Sequence, residues 1–296
     1  MAEAVTGNIA VPEATRPRVG LPDEHEIYAR ASGENFSVAT RLLPRRLRGH
    51  LLAIYGYARL VDQLGDAVSG DRNRALDTLE AELDSVFAAS GQPTQPVLAR
   101  LRPTVQELGL PERPFRALLE ANRQDQAVHR YATFAELRAY CALSANPVGE
   151  LVLHVFGAAT PERVALSDEV CTALQLAEHW QDVAEDYSAG RIYLPAEDLQ
   201  RFTVSEAELA DAHSSARLVG LLSFEVTRAA SLLDAGARLV SSLQGTARLA
   251  VAGYVGGGRA ALEAIERASY DVLAGPPRAS KLARLRHTLA SYRSGK

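Results

Sequence analysis

One stretch of the sequence reads Thr172-Ala-Leu-Gln-Leu-Ala-Glu-His-Trp-Gln-Asp-Val-Ala-Glu-Asp-Tyr-Ser-Ala-Gly-Arg-Ile-Tyr-Leu-Pro195. Its apolar residues recur every three or four positions, which predicts an amphipathic helix. Four polar side chains keep the same spacing and form one stripe along this helix: Gln175, Glu178, Asp182 and Asp186. An isolated stripe of this kind is usually a solvated face. Because this one begins inside an apolar run, we expect it to face inward instead.

A second stretch repeats the arrangement in the first half of the chain, Leu51-Leu-Ala-Ile-Tyr-Gly-Tyr-Ala-Arg-Leu-Val-Asp-Gln-Leu-Gly-Asp66. Asp62 and Asp66 are four residues apart, so their carboxylates share one helical face at a separation of about 6 Å along the axis. Tyr55 and Arg59 lie on the same face. Arg59 either pairs with Asp62 or contacts a substrate phosphate, for which a forked guanidinium is well suited.

Two carboxylate pairs of this kind favour a bound cation. Carboxylates held so close repel each other unless protons or a cation neutralise them, and oxygen-only ligands suit Mg²⁺ bound together with substrate phosphates. We therefore predict Mg²⁺ as cofactor and a diphosphate as substrate, with four aspartates as ligands: Asp62, Asp66, Asp182 and Asp186.

The composition is that of an ordinary globular protein. Of 296 residues, 47% are hydrophobic and 23% are charged, which excludes wholesale disorder and allows a large core. The net charge of −4 argues against nucleic acid as a partner, since a phosphate backbone calls for a basic face. We expect small molecules or proteins as partners.

Cysteines and terminal patterns point to a reducing compartment. Cys141 and Cys171 lie among apolar helical residues, so we expect buried thiols and no disulfide or metal site. The N-terminus lacks the features of a secretory signal, and no apolar run approaches the length of a membrane span. The predicted location is the cytoplasm, or at most the inner face of a membrane.

Helical periodicity covers the chain from His25 onward, and the alternation typical of strands is missing. Glycine and proline punctuate the helices, and Thr133 with Glu136 and Ser205 with Glu208 are typical of capping boxes. Gly253-Tyr-Val-Gly-Gly-Gly258 lacks a preceding strand, so it indicates a helix break or close helix packing and not a phosphate loop. The predicted helices span 24–32, 36–42, 45–67, 72–90, 95–108, 112–128, 134–144, 146–156, 166–189, 196–202, 205–212, 217–242, 245–266 and 280–294.

These patterns predict an all-α fold. We expect a flexible tail over residues 1–22 and a single domain over 23–296, built as a helical bundle around a central cavity. The two helices that carry the aspartate pairs would face each other across that cavity.

In these segments the chain resembles the squalene and phytoene synthase family. The resemblance runs from about Asn35 to about Arg286. Its most specific part is the order of Gln175, the second aspartate pair and Gly190-Arg-Ile-Tyr193. Other matching segments are Leu43-Pro44, Tyr55-x-x-x-Arg59, Asp62-x-x-x-Asp66, Arg130-Tyr131, Tyr140 and Asn146-Pro-Val-Gly149.

The resemblance implies the class I isoprenoid synthase fold, in which metals and arginines stabilise a leaving diphosphate so that a prenyl carbon–oxygen bond ionises in an apolar cavity. The metal ligands it implies are Asp62, Asp66, Glu178, Asp182 and Asp186. The substrate contacts it implies are Asn35, Phe36, Arg59 and Arg191. The side chains it implies near the reacting carbons are Tyr55, Tyr131, Gln175 and Tyr193. A buried tyrosine that only packs is the alternative reading for each of the tyrosines.

Departures from the family pattern favour one branch. A cation that condensing members carry before the first helix is replaced by Glu34, the acidic doublet of the first motif reads Asp62-Gln63, and Glu178 stands where relatives have asparagine. With Ser144-Ala-Asn-Pro-Val-Gly149 and His179-Trp-Gln-Asp182, these segments most closely resemble hydroxysqualene synthases of bacterial hopanoid pathways. Those enzymes ionise presqualene diphosphate and let water capture the cation without a reductant.

Two other functions stay open at this point. One is a condensing squalene or phytoene synthase that joins two farnesyl or geranylgeranyl diphosphates, and the other is a catalytically silent relative that serves as a scaffold. The intact aspartate pairs weigh against the scaffold. Glu178 binds metal, positions the attacking water or turns away, and the sequence favours none of these. We expect His154 and His179 to be satisfied core groups.

Two further contacts are expected. The resemblance suggests association with other enzymes of the squalene pathway. The basic residues at 278–286 suggest contact with an anionic membrane surface, although a solvated terminal helix is the default for such a segment.

Overall fold

The computed structural model describes residues 43–66 and 70–294. Within these ranges the chain forms thirteen α-helices and one 3₁₀ helix and no strand, which confirms the all-α prediction. The N-terminal tail, the predicted helices 24–32 and 36–42, and Glu34, Asn35 and Phe36 lie outside the described residues. The helices are α1 (Arg45–Asp66), α2 (Arg72–Phe87), α3 (Pro96–Leu108), α4 (Arg113–Gln124), α5 (Phe134–Ser144), α6 (Asn146–Val155), α7 (Pro161–Gln181), α8 (Val183–Ser188), α9 (Ala196–Arg201), the 3₁₀ helix (Glu206–Ala210), α10 (Ala216–Gly236), α11 (Arg238–Ser242), α12 (Gly245–Arg267) and α13 (Lys281–Ser294).

Two apolar clusters form the interior. The first packs α1, α2 and α3 around fully buried residues such as Leu60 and Leu79. The second packs α5, α7, α10 and α12 around Trp180 and Leu221. Helices α4 and α6 contribute residues to both clusters and so join them. The division of the chain into a tail and one domain stays a prediction.

The predicted helix over 166–189 is wrong at its start and in its continuity. Helix α7 begins at Pro161, a residue favoured in a first helical turn, and the Thr160 side chain caps it. The helix stops at Gln181 because Asp182, at φ −105° and ψ 20°, leaves helical geometry. Asp186 N–H still donates to the Asp182 carbonyl at 2.8 Å, so the two aspartates stay one turn apart.

Other predicted elements differ in smaller ways. The helix expected over 217–242 is divided at Ala237, next to Gly236, which has low helix propensity. The segment expected over 205–212 is the short 3₁₀ helix, although the capping box of Ser205 and Glu208 is present. The cap at Thr133 is also present, since its side chain accepts from the Glu136 N–H at 3.2 Å.

The glycine-rich segment 253–258 does not break its helix. Helix α12 runs through it, and Gly256 faces the backbone of α13, where an added Cβ would lie 2.4 Å from the Thr288 nitrogen. Of the two alternatives, close helix packing is therefore confirmed.

Two predictions concern features that the sequence is not expected to form, a disulfide and a membrane-spanning helix. Both cysteines are free thiols; Cys141 is buried as expected, whereas Cys171 is partly accessible. Among the residues described, no helix combines the length and the apolar character needed to cross a membrane.

Candidate active site

An ion pair brings the two aspartate motifs to one cleft. Asp66 is the last residue of α1, and Arg191 lies in the loop that follows α8. The Arg191 Nη2 lies 3.0 Å from the Asp66 Oδ1. Segments that are far apart in sequence therefore border a common space.

The loop that carries Arg191 is held by backbone contacts to the segment before α5. The Ile192 N–H donates to the His129 carbonyl at 2.9 Å, and the Ala196 N–H donates to the Tyr131 carbonyl at 2.9 Å. Gly190, at φ +84°, makes the turn into this loop in a conformation that favours glycine. Local backbone geometry thus places Arg191 and Tyr193 on the cleft.

Asp62 is supported from α4. The Asn122 side chain donates to the Asp62 Oδ1 in a long contact of 3.5 Å and to the Leu118 carbonyl at 3.2 Å. This approach requires Gly65, because an added Cβ there would lie 2.1 Å from the Asn122 Oδ1. The first motif is therefore built against a polar side chain of another helix.

One carboxylate of each motif, Asp62 in the first and Asp182 in the second, sits in surroundings that disfavour its charge. Although the Asp62 residue is exposed, desolvation by the surrounding protein raises the pKa of its carboxyl to about 6, and Asp66 raises it further. Partial burial and then Asp186 raise the pKa of Asp182. A bound cation would relieve both effects.

An aromatic wall lies beside the second motif. The rings of His179 and Tyr193 stack with centroids 3.6 Å apart, and Tyr131 and Tyr140 lie 5.9 and 5.8 Å from Tyr193. All four side chains are buried. Burial raises the pKa of each tyrosine well above its usual value, so the hydroxyls stay neutral.

His179 connects this wall to the polar stripe. Its Nε2 lies 3.2 Å from the Gln175 Nε2, and its Nδ1 lies 3.8 Å from the Asp186 Oδ2. His179 is buried and hydrogen-bonded, as predicted for a core histidine, yet it belongs to the site. A small cavity is lined by His179, Asp186, Arg191 and Tyr193.

The residues of the predicted polar stripe differ in their exposure to solvent. Gln175, Asp182 and Asp186 are partly buried, whereas Glu178 is exposed, so the expectation that the whole stripe faces inward is wrong at Glu178. A residue on a helix edge can keep the spacing of a stripe and still reach solvent.

Two further predicted site residues lie on α1, whereas Asn35 and Phe36 lie outside the described residues. Tyr55 is buried, and Arg59 is partly buried and acts electrostatically on Asp62. As positioned, no three His, Cys, Asp or Glu side chains of the described residues are close enough to hold a metal ion. The metal ligands therefore stay a prediction.

Two polar residues of the site were missed by sequence reasoning. The Tyr140 hydroxyl donates to the Asp125 Oδ2 at 2.9 Å, and burial raises the pKa of Asp125. Asn122 had a signal, since it is a polar residue on the buried face of α4 beside Leu118 and Leu119. Asp125 follows the end of α4, and no sequence pattern marks it as a site residue.

The comparison with known families decides the membership of this chain. A family model described as Squalene/phytoene synthase matches residues 29–286. The chain belongs to the squalene/phytoene synthase family. Members of this family are synthases that use prenyl diphosphates.

Individual family members carry different names. The hydroxysqualene synthase of Rhodopseudomonas palustris is 37% identical over 71% of this chain and 72% of its own length. The phytoene synthase of Arthrospira platensis is 32% identical over 84% of this chain and 86% of its own length. The family is therefore shown, whereas the reaction differs among its members.

Solved structures of family members share the fold. The crystal structure of squalene synthase HpnC from Alicyclobacillus acidocaldarius has a TM-score of 0.77 at 40% identity and covers 83% of this chain and 94% of that one. A dehydrosqualene synthase in complex with ligand has a TM-score of 0.81 at 26% identity and covers 92% and 94%. The arrangement is thus that of an isoprenoid synthase.

Proposed function

We propose that this protein is a Mg²⁺-dependent hydroxysqualene synthase, which converts presqualene diphosphate and water to hydroxysqualene and diphosphate. The observation that carries the proposal is the contact of Arg191 with Asp66, which makes both aspartate motifs border one cleft. The similarity to relatives named hydroxysqualene synthase supports this choice of reaction, as do Glu34, Gln63 and Glu178 in the sequence.

The donor set of the cleft fits Mg²⁺. Its carboxylates supply only oxygen ligands, which magnesium prefers, and desolvation already disfavours the uncompensated charge of Asp62 and Asp182. Asp62, Asp66, Asp182 and Asp186 would hold the metal, and Glu178 at the exposed edge is a further candidate. When bound, Mg²⁺ would neutralise charge on the leaving diphosphate.

The arginines of the cleft would bind the diphosphate. Arg191 already reaches across the cleft to Asp66, and Arg59 lies beside Asp62. A guanidinium offers two parallel donors to phosphate oxygens and keeps its charge at all relevant pH values. The electron pair of the breaking carbon–oxygen bond leaves with the diphosphate that these groups hold.

The aromatic wall would stabilise the resulting cation. Tyr131, Tyr140 and Tyr193 are buried and neutral, so they present ring faces without a competing negative charge. A cation over such faces is attracted by the ring quadrupole, most strongly where water is excluded. The wall also limits the access of bulk water.

Water capture requires a polar site within this apolar surface. Gln175 and His179 supply one, since their nitrogen atoms lie 3.2 Å apart at the edge of the wall. A water bound there would form the new carbon–oxygen bond and release a proton. No electrons are added to the carbon skeleton, so no reductant enters the balance.

The test uses the purified full chain with presqualene diphosphate and Mg²⁺ and without NADPH. We expect hydroxysqualene by mass spectrometry, loss of product with EDTA and recovery with added Mg²⁺. Asp62→Asn and Asp182→Asn should each lower turnover on the order of 100-fold, because each removes a charged ligand. Asp211→Asn is the matched control at an exposed aspartate outside the cleft.

A second candidate, a condensing synthase, is favoured by the relatives named phytoene synthase, which match more of the chain. The same assay separates the two functions. Consumption of farnesyl or geranylgeranyl diphosphate to a hydrocarbon, with presqualene diphosphate untouched, would replace the first proposal by this one. Full turnover of the Asp62→Asn and Asp182→Asn variants would remove the aspartates from the mechanism.

A further inference from the structure

The turn at the end of α8 ties two site residues together. The Arg191 N–H donates to the Asp186 carbonyl at 2.8 Å, and the Gly190 N–H donates to the Tyr187 carbonyl at 2.9 Å. With Gly190 at φ +84°, these two bonds form a Schellman motif, a common way for a helix to end. One hydrogen-bonded turn therefore carries both Asp186 and Arg191.

The Arg130 side chain binds this turn from the segment before α5. Its Nη1 donates to the Gly190 carbonyl at 2.7 Å and to the His129 carbonyl at 2.9 Å. The Gly190 carbonyl and the Arg191 N–H belong to the same peptide unit. The carbonyl of this unit is thus held by Arg130 and its N–H by Asp186. Because the unit is planar, fixing both polar groups sets the direction in which the Arg191 side chain leaves the backbone.

A carboxylate of the 3₁₀ helix orients the Arg130 guanidinium in turn. Arg130 Nε lies 3.2 Å from both carboxylate oxygens of Glu206, and Nη2 lies 3.2 Å from Glu206 Oε2. These two nitrogens form one edge of the planar fork, which leaves Nη1 for the Gly190 carbonyl. The two side chains are 41% and 52% exposed, so the ion pair itself adds little to stability. The pair therefore orients Arg130 more than it stabilises the fold.

Arg191 gains from such support. It lies in a loop, and its side chain extends across the cleft, where Nη2 lies 3.0 Å from the Asp66 Oδ1. A long side chain on a loop loses binding strength to its own freedom unless its backbone is held in place. We propose that Arg130 is a positioning residue, which fixes the peptide before Arg191 so that the Arg191 guanidinium faces the diphosphate. The inference rests on the proposed function, since the diphosphate enters only there.

Arg130 is itself a cation, so direct contact with the diphosphate is the competing role. The two roles differ in how the losses of binding combine. If Arg130 acts only through Arg191, its removal has no further effect once the Arg191 guanidinium is absent. If Arg130 touches the diphosphate itself, or only stabilises the fold, the two losses add.

The experiment is isothermal titration calorimetry of the full chain with inorganic diphosphate in the presence of Mg²⁺, without a prenyl substrate. We expect Arg130→Gln to weaken binding on the order of tenfold, as loss of a supporting partner does at other sites, and Arg191→Gln to weaken it at least as much. In the Arg191→Gln background, Arg130→Gln should add less than about twofold.

Arg217→Gln is the matched control. It removes an ion pair with Glu208 of the same 3₁₀ helix and leaves the contact of Arg130 with Gly190 intact, so diphosphate binding should equal that of the wild type. Glu206→Gln keeps Arg130 but removes the charge that holds its fork, and it should weaken binding in the same direction as Arg130→Gln. Thermal unfolding checks that each variant is folded.

A loss in Arg130→Gln that disappears in the Arg191→Gln background would support the inference. It would be overturned if Arg130→Gln bound diphosphate as the wild type does, or if the two losses added. Where Arg130→Gln is unfolded, wild-type binding by Glu206→Gln would overturn it instead. A wild-type chain that does not bind diphosphate would overturn it together with the site. The expected binding pattern in a chain that leaves presqualene diphosphate unchanged would contradict only the proposed reaction.

Discussion

Gly65 is the residue at which the first aspartate motif meets its support. It lies between Asp62 and Asp66, and the absence of a side chain lets Asn122 come close enough to donate to Asp62. Helix propensity alone would favour alanine here. The close approach of a second helix explains the glycine.

Gly65→Ala should therefore displace Asn122. We expect a loss of about 1–3 kcal/mol in the free energy of unfolding, because the new methyl group overpacks the contact with α4, together with lower turnover. Gly49→Ala in the same helix is the matched control, since an added Cβ there meets nothing within 4 Å. Urea unfolding measures both variants; equal stability of the two would contradict the account.

Asp125 is the residue-scale feature that the sequence did not predict. Its carboxylate accepts from the Tyr140 hydroxyl, and Tyr140 packs against Tyr193 in the aromatic wall. We infer that Asp125 orients Tyr140 and thereby acts as a positioning residue.

Asp125→Ala should lower kcat by about 10- to 100-fold, the usual range for a supporting partner, with a smaller change in KM. Asp125→Asn keeps an acceptor for the Tyr140 hydroxyl and should recover part of the loss. Asp168→Ala on α7 is the control at another partly buried aspartate. A kcat for Asp125→Ala within twofold of the wild type would remove this role.

Sequence reasoning located the four aspartates and Arg191 because their spacing or the family pattern marks them. It could not locate Asp125, because the role of that residue depends on a tyrosine from the next helix. It also could not foresee that Arg191 pairs with Asp66, since that contact joins segments far apart in the chain.

At the scale of elements, the break between α7 and α8 shows where a periodic pattern misleads. The apolar spacing continues through residue 182, so periodicity alone predicts one helix. Glu178, Asp182 and Asp186 follow one another at four-residue steps, and like charges at that spacing destabilise a helix. The break therefore coincides with the most acidic part of the stripe.

A buried ionic cluster joins α9 to α10 away from the cleft. Arg228 Nη1 lies 2.8 Å from the Asp198 Oδ2 and 3.0 Å from the Glu225 Oε1, and Asp198 and Glu225 are 3% and 0% exposed. One guanidinium thus faces two buried carboxylates. Burial, opposed by Arg228 and reinforced by Asp198, raises the pKa of Glu225 to about 8.

This cluster predicts a pH dependence of stability. Because the folded pKa of Glu225 lies above its usual value of 4.5, the folded chain binds the extra proton between these values, and stability falls as pH rises toward 8. Relative to Glu225→Gln, the wild type should lose free energy of unfolding on the order of a few kcal/mol over that window and nothing further above it. Urea unfolding at several pH values measures this. The prediction would be refuted if the free energy of unfolding of the wild type minus that of Glu225→Gln stayed constant or rose with pH.

At the scale of the whole molecule, two apolar clusters meet through α4 and α6. The cleft lies where the end of α1 meets the loop that follows α8. The all-α class followed from periodicity, and the family followed from the ordered motifs. The choice of reaction does not follow from the fold, because synthases with different products share it.

Isotope transfer from solvent tests the central claim most directly. The purified protein is incubated with presqualene diphosphate and Mg²⁺ in water enriched in ¹⁸O, without NADPH, and the product is analysed by mass spectrometry. Ionisation followed by water capture predicts hydroxysqualene that carries ¹⁸O at its hydroxyl group. An alcohol without the label, or a hydrocarbon product alone, would contradict the account.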